Sequence, residues 1–368
     1  MFQNAYRLPI KLLGIPIKLD MSFLFILPLF AWLIGSQIPT YIELFSLDLN
    51  ADRLQQGVLP FLLGLLAAIG LFSSVVIHEL GHALTARRYG VKTKEITLWF
   101  LGGIAQFDEM PQQRGAEAIV AIAGPLTSVL LSGLCWLLWQ VSSGVSLFIF
   151  SYLTFTNLAL AVFNLLPALP LDGGRVMRSL LALALGKMRA TEIASKVSQI
   201  VAVLLGVYGF LSLNLFVMAV AFFVYSASRA EVQYALMSRA LSQLQVRDLM
   251  TVNVVSVTPT MTVAQLMRLM FFQKHSSYPV IDDEGTLRGF VKLQNAKDAE
   301  EDTLIEAIMS PRPGTIYEYE DALAALNRIV EEEFGRFIVL DHQAAIVGIL
   351  SKTDLLRAIQ QQALNEKR

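Results

Sequence analysis

Two histidines four residues apart, with a glutamate beside the first, are the residues of this chain best suited to do chemistry: His78-Glu79-Leu80-Gly81-His82. In an α-helix, positions i and i+4 share a face and lie about 6 Å apart along the axis. Both imidazoles can then hold one Zn²⁺, with Glu79 beside a water on the metal. Zinc lowers the pKa of such a water towards about 7. A neighbouring carboxylate can take its proton and pass it to a leaving amine. In a soluble chain this five-residue pattern often arises by chance. Here it sits between Leu54 and Ala86, where Glu79 is the only acid, and an ionisable group inside an apolar membrane stretch is costly and functional by default.

Catalytic zinc takes three protein ligands and keeps a fourth position open. Between Glu117 and Arg175 the only charged residue is Asp172, in Leu165-Leu166-Pro167-Ala168-Leu169-Pro170-Leu171-Asp172-Gly173-Gly174. It is the candidate third ligand. Pro167, Pro170, Gly173 and Gly174 are expected to break the helix and let backbone approach the metal. Asn164 could donate a hydrogen bond to a developing oxyanion; an equally weighted alternative is polar glue between helices, and Asn157 leans to the latter. His275 and His342 lie far along the chain, in a soluble part, and cannot join the cluster. Cys135 lies in an apolar stretch and reads as a small core residue.

The elements that must position these groups are membrane helices. The chain has 368 residues, of which 55% are hydrophobic and only 16% charged, against about 25% charged in a soluble domain. The net charge of −1 gives no indication of nucleic-acid binding. About 20 apolar residues cross a bilayer. Residues 21–38, 58–86, 117–140 and 145–166 give four spans, and 197–228 gives two more if Ser212-Leu213-Asn214 is a hairpin. A single long tilted span is the competing reading there. The N-terminus, with Arg7, Lys11 and Lys18 among prolines, is not expected to be a cleavable signal peptide.

Basic residues fix the expected orientation. Arg7, Lys11 and Lys18 precede the first span. Arg87, Arg88, Lys92, Lys94 and Arg114 lie between the second and third, and Arg175, Arg178, Lys187, Arg189 and Lys196 between the fourth and fifth; the opposite loops offer only Arg53. Both termini are therefore expected in the cytoplasm. Spans two and four both run inward, so His78, His82 and Asp172 share a depth. The membrane is expected to be a plasma membrane, with an organellar one still open. The expected architecture is a polytopic α-helical membrane domain of about six helices plus a cytoplasmic α/β module. Residues 1–230 form the membrane domain and 231–245 a linker. Two small domains, 246–300 and 301–368, follow.

The pair His78-Glu79-Leu80-Gly81-His82 and Phe163-Asn164-Leu165-Leu166-Pro167 with Pro170-Leu171-Asp172-Gly173-Gly174-Arg175 resembles the site-2 protease family of intramembrane metalloproteases. The resemblance covers roughly residues 10–230. It implies one zinc held by His78, His82 and Asp172, Glu79 as catalytic base, and cleavage of a membrane-anchored substrate, often a regulator released to the cytoplasm. It also implies a glycine-containing strand, for which Leu98–Phe107 is the candidate. Gly102, Gly103 and Ile104 there would pair an unwound substrate backbone; an ordinary hairpin packed on the bundle is the alternative. No soluble PDZ-type insert is visible, unlike in some relatives.

After Arg229 the sequence is that of a soluble domain, with an internal repeat of period 59: Met250 matches Met309, Asp282 matches Asp341 and Gly289 matches Gly348. Each half predicts a strand, a helix and two strands, such as Val252–Val257, Val263–Gln273, Ser277–Ile281 and Gly289–Leu293. This resembles a tandem cystathionine-β-synthase-type (CBS, Bateman) pair, which implies an adenine nucleotide between the halves and a homodimer. In Gly348-Ile349-Leu350-Ser351-Lys352-Thr353-Asp354, Ser351 and Thr353 would meet phosphate and Asp354 ribose. In the first half Lys292 replaces the hydroxyl and Asn295 the acid, so at most one full nucleotide site is expected. A purely structural or dimerising module is the alternative.

Two classes of function compete: a protease, gated by the cytoplasmic pair, and a metal transporter or inactive metal-binding sensor. A transporter should scatter ionisable residues along several spans, whereas here they concentrate in one cluster. An inactive relative would have lost the glutamate or a ligand, and none is lost.

Overall fold

The computed structural model describes residues 6–99, 102–107, 113–311, 313–332 and 335–365. Phe100 and Leu101 of the candidate strand segment, and the side chains of Arg7 and Arg53, lie outside what is described. The chain divides into two compact units, residues 1–232 and 233–368.

The first unit opens with β1 (Tyr6–Leu12) and β2 (Ile15–Leu19), joined through Leu13 and Gly14, both at positive φ. Next come α1 (Phe23–Ser36) and α2 (Ile38–Leu44), bent by 55° at the break, where Gln37 is the break residue and Pro39 lies in the first turn of α2. A single turn, α3 (Ala51–Leu54), precedes α4 (Leu59–Arg88), the helix that carries the histidines. Pro60 starts α4 and Arg87 and Arg88 end it, each suited to its end of a helix. Then follow β3 (Thr93–Trp99), β4 (Gly102–Phe107), α5 (Ala116–Gln140), α6 (Gly144–Asn164), α7 (Asp172–Leu185), α8 (Lys187–Leu211) and α9 (Leu215–Leu241).

Among the described residues α4, α5, α6, α8 and α9 are long and apolar enough to cross a membrane, and the bent α1–α2 pair makes a sixth. The apolar run 197–228 is two helices, not one tilted helix. Leu213 takes a positive φ at the break, and Asn214 Oδ1 accepts from Val217 N–H to start α9. Small residues let the helices approach closely: Ala31, Ala67, Ala68, Ala194 and Ala202 are buried along with Ile38, Leu63 and Phe148, while Leu66, Leu130, Leu204 and Phe222 point outward. That is the pattern expected where helices associate by close packing in a solvent as apolar as themselves.

β1, β2, β3 and β4 form one sheet in that order. β1–β2 and β3–β4 are antiparallel and β2–β3 parallel. Ile17 and Leu98 pack against Phe23, Phe72, Val75 and Val76, and Lys18 pairs with Glu95 across β2–β3 at 2.7 Å. The sheet is thus seated on α1 and α4, and β4 is its last strand. The segment expected as one strand, Leu98–Phe107, is instead the end of β3 and the whole of β4.

The second unit contains, in order, α10 (Val246–Leu249), α11 (Val263–Gln273), β5 (Ser277–Ile281), β6 (Leu287–Lys292), α12 (Leu293–Lys297), α13 (Ile305–Ile308), β7 (Thr315–Tyr317), α14 (Ala322–Glu331), β8 (Arg336–Leu340), β9 (Ile346–Ser351) and α15 (Lys352–Asn365). The repeat is visible as reciprocal contacts. Thr251 bridges to Ile349 as Phe290 does to Ser310, and Gln245 to Asp321 as Thr262 does to Leu304. Met250 lies over Gly348 and Met309 over Gly289, where a Cβ would come within 2.6 and 2.9 Å of sulfur. The matched methionines and glycines are one interlock used twice. The strand expected over Val252–Val257 does not form. Only its ends pair, Thr251 with Ile349 and Val257 with Val280, and Val252 between them is exposed.

Candidate metal centre and active site

His78 and His82 sit one turn apart on α4, 3% and 5% exposed, and Asp172, 7% exposed, is the first residue of α7. His78 Nε2 lies 3.2 Å from Asp172 Oδ2, His82 Nε2 3.2 Å from the same oxygen, and the two Nε2 atoms 3.2 Å from each other. Behind the triangle, His82 Nδ1 is 2.8 Å from the Val120 carbonyl oxygen and His78 Nδ1 2.9 Å from Ser128 Oγ. A carbonyl only accepts, so His82 Nδ1 carries the proton and its Nε2 lone pair faces a carboxylate oxygen and a second imidazole. Such a convergence suits a cation among them. Tetrahedral zinc at about 2.0–2.1 Å needs ligand atoms about 3.3–3.4 Å apart, and the three 3.2 Å separations fit it. Among the described residues these three are the group placed to share a metal.

α5 makes room for the imidazoles. A Cβ at Gly124 would fall 2.2 Å from His82 Nε2 and 2.6 Å from His78 Nε2. One at Gly81, between the histidines, would fall 2.3 Å from Thr127 Oγ1. Val120, Gly124 and Ser128 thus form a row at i, i+4 and i+8 serving the ring nitrogens and their space, a supporting set of the kind that fixes imidazole orientation. Sequence reasoning passed over it. Its signal was a stripe of small residues at helical spacing in an apolar helix.

The Pro-Gly segment breaks the helix as expected, between α6 and α7. Gly173 and Gly174 lie inside α7 and let its first turn press on the preceding loop. A Cβ at Gly173 would be 2.2 Å from the Leu165 carbonyl oxygen, and one at Gly174 2.4 Å from Ala168 C. Leu169 N–H donates to Ser198 Oγ at 2.6 Å, tying that loop to α8. Asp172 is held by this tight turn.

Glu79 Oε2 accepts from the backbone N–H of Ala105 on β4 at 3.2 Å. Leu98 O accepts from Asp20 N–H at 2.9 Å, and Leu98 faces Gly103 while Ile96 faces Ala105. Opposed residues in an antiparallel pair alternate between bonded and non-bonded. The backbone groups of Gly103 and Ala105 therefore face away from β3, and those of Gly102 and Ile104 face β3. Of the expected trio, Gly103 lies on the outer edge, with Ala105 as its missed companion. A Cβ at Gly103 would also meet Glu79 Cγ at 2.9 Å. Asn164 Nδ2 donates to Leu160 O at 2.9 Å at the end of α6. Asn157 Nδ2 donates to Ser74 Oγ at 3.0 Å, joining α6 to α4.

In the second unit, Ser351 and Asp354 cap α15. Asp354 Oδ2 accepts from Ser351 N–H at 2.9 Å and Ser351 Oγ–H at 2.6 Å. Thr353 is exposed. A cavity of about 460 Å³ lies between the halves, lined by Ser276, Lys292, Lys297, Ser310, Gly314 and Arg336 among others; Arg336 faces Ser351 across β8–β9.

Residues 66–148 and 140–208 match Peptidase family M50, and 246–301 and 305–361 each match the CBS domain. A zinc metalloprotease of Methanocaldococcus jannaschii is 32% identical over 97% of this chain and 97% of its own. Rip3 of Mycobacterium tuberculosis is 28% identical over 95% of this chain and 91% of its own. The solved site-2 protease of M. jannaschii is 31% identical, covers 62% of this chain and 95% of its own, and has a TM-score of 0.44. With the metal triangle on the helices of an apolar bundle, these matches show that the chain belongs to the site-2 protease family, M50, of zinc metalloproteases and carries a tandem CBS pair.

Proposed function

We propose that the chain hydrolyses a peptide bond in or beside the transmembrane segment of a membrane-anchored protein. The observation that carries this reading is the convergence of His78, His82 and Asp172 with Glu79 at the outer edge of β4. Zinc bound by His78, His82 and Asp172 would supply a Lewis acid that polarises the scissile carbonyl and acidifies water. Glu79 takes the proton of the attacking water and returns it to the leaving amine. The outward backbone groups of Gly103 and the Ala105 carbonyl pair with the unwound substrate, which holds the scissile bond beside Glu79, itself tied to Ala105 N–H. Asn164 is the side-chain candidate for the developing oxyanion. The basic loops support a plasma-membrane protein with both termini in the cytoplasm.

The test is cleavage of single-span reporter proteins co-reconstituted with the purified chain. Glu79→Gln is expected to keep its zinc and lose cleavage at least 100-fold; full cleavage by that variant contradicts the assignment of the base.

A second reading concerns control. The cavity between the CBS halves has a size usual for small-molecule sites, and Lys292, Lys297 and Arg336 make it cationic. It favours an adenine nucleotide with its phosphates at the first-half position, where the sequence pattern was weaker, and a changed cleavage rate on binding. Calorimetric titration of AMP and ATP into the full chain checks this; no heat of binding for either removes it.

A further inference from the structure

We propose that Arg178 is a positioning residue for the metal ligand Asp172, locking α7 to the helix that backs both histidines. The inference rests on the metal-centre reading above. Its observations lie on the far side of α7, away from that centre.

Asp172 opens α7, and Arg178 follows six residues later, about 9 Å along the axis. The Arg178 guanidinium is largely buried. Its Nε donates to Glu117 Oε1 at 3.1 Å, its Nη2 donates to the same oxygen, and its Nη1 donates to Glu231 Oε2 at 2.7 Å. Glu117 is in the first turn of α5, and Glu231 lies on α9. The next residue along α7, Ser179, accepts from Ala118 N–H with its Oγ at 3.2 Å, one position after Glu117.

α5 is the common reference of the ligand set. Its Val120 carbonyl and Ser128 hydroxyl orient His82 and His78, and its Gly124 gives both rings their space. The carboxylate ligand has no such backing of its own on α5. It reaches the histidines because α7 is held to α5, and the polar ties that hold it there are Arg178–Glu117 and Ser179–Ala118.

Stability alone is a weak reason for such a triad. Apolar residues of the same volume replace a buried ion pair with little loss or a gain, whereas removing one member is costly. What a planar guanidinium between two carboxylates adds is direction. It fixes both the rotation of α7 and its height along the bundle, and so the position of the Asp172 carboxylate at its start.

The experiment measures zinc affinity of the purified full chain in detergent against a chromophoric chelator, with the visible spectrum of the Co²⁺-loaded protein and the melting temperature read alongside. Arg178→Gln is expected to weaken zinc about 10-fold, the lower end of what supporting-partner losses cost, and to alter the cobalt bands. Arg178→Lys keeps the charge without the fork and should recover part of both. Lys18→Met breaks the Lys18–Glu95 ion pair of the membrane unit, away from α7; it should lower the melting temperature and leave affinity and spectrum unchanged. If Arg178→Gln does not fold, Glu117→Gln decides, with a loss towards about 10-fold expected. Wild-type affinity and spectrum in the deciding variant overturn the proposal. His78→Ala should abolish zinc binding; if it binds like the wild type, the metal-centre reading itself fails, and that outcome is separate from failure of the positioning role.

Discussion

The two units use polar side chains in opposite ways. In the membrane unit, His78, His82 and Asp172 come from segments 94 residues apart and converge on one point, all buried. In the CBS pair the acids act locally. Asp282 accepts from the backbone of Glu284 and Thr286, and Asp341 from that of Gln343 and Ala345, each within four residues. Asp321 caps α14 and Asp354 caps α15. A polar group whose partners are its own neighbours is explained by the turn it makes. One whose partners are distant, buried and themselves potential acceptors is arranged as ligands to a metal are.

The sharpest way to break this contrast is to fill the space that convergence requires. Gly124→Ala places a methyl 2.2 Å from His82 Nε2. Zinc affinity should fall at least 100-fold, at the upper end of losses caused around a metal site, and cleavage should fall with it. Calorimetric melting of the CBS pair in the same chain should not change. Retained zinc in Gly124→Ala would mean that α5 does not bound the site.

A smaller effect tests the local side. The Asp282 carboxyl is held below the usual carboxylate value of 3.8, first by the Thr286 backbone N–H and then by Arg288. A depressed value means that the folded state binds the proton less readily than the unfolded one. The contribution is therefore complete above the ordinary value and disappears as the pH falls through the lowered one. Asp282→Asn should lower the melting temperature of the CBS pair by a few degrees at most at neutral pH, and the gap to wild type should close below pH 3.8. Because the side chain meets solvent, screening keeps the effect small. Zinc content should not respond at all.

How much of this was legible beforehand follows the same division. His78, Glu79, His82 and Asp172 stood out because charge in an apolar run is rare and costly, and basic loops put them at one depth. The repeat stood out because its interlocking methionines and glycines recur at a fixed spacing. Val120, Gly124 and Ser128 did not, because a backbone carbonyl, an absent side chain and a hydroxyl carry no distinctive pattern in a helix already rich in small residues. The helix break at the prolines and glycines around Asp172 was legible; that Gly173 and Gly174 also admit the preceding loop was not. Ser351 and Asp354 matched a nucleotide pattern and also form a helix cap. The cationic cavity brings Lys292 and Lys297 of one half together with Arg336 of the other, which depends on the two halves meeting.

The central claim is that three side chains close around one divalent ion. Metal analysis by plasma mass spectrometry of the purified chain, beside Asp172→Ala prepared identically, tests it most directly. The account predicts one zinc per chain in the wild type and little or none in the variant. A wild type without bound metal, or a variant that keeps a full equivalent, would contradict it.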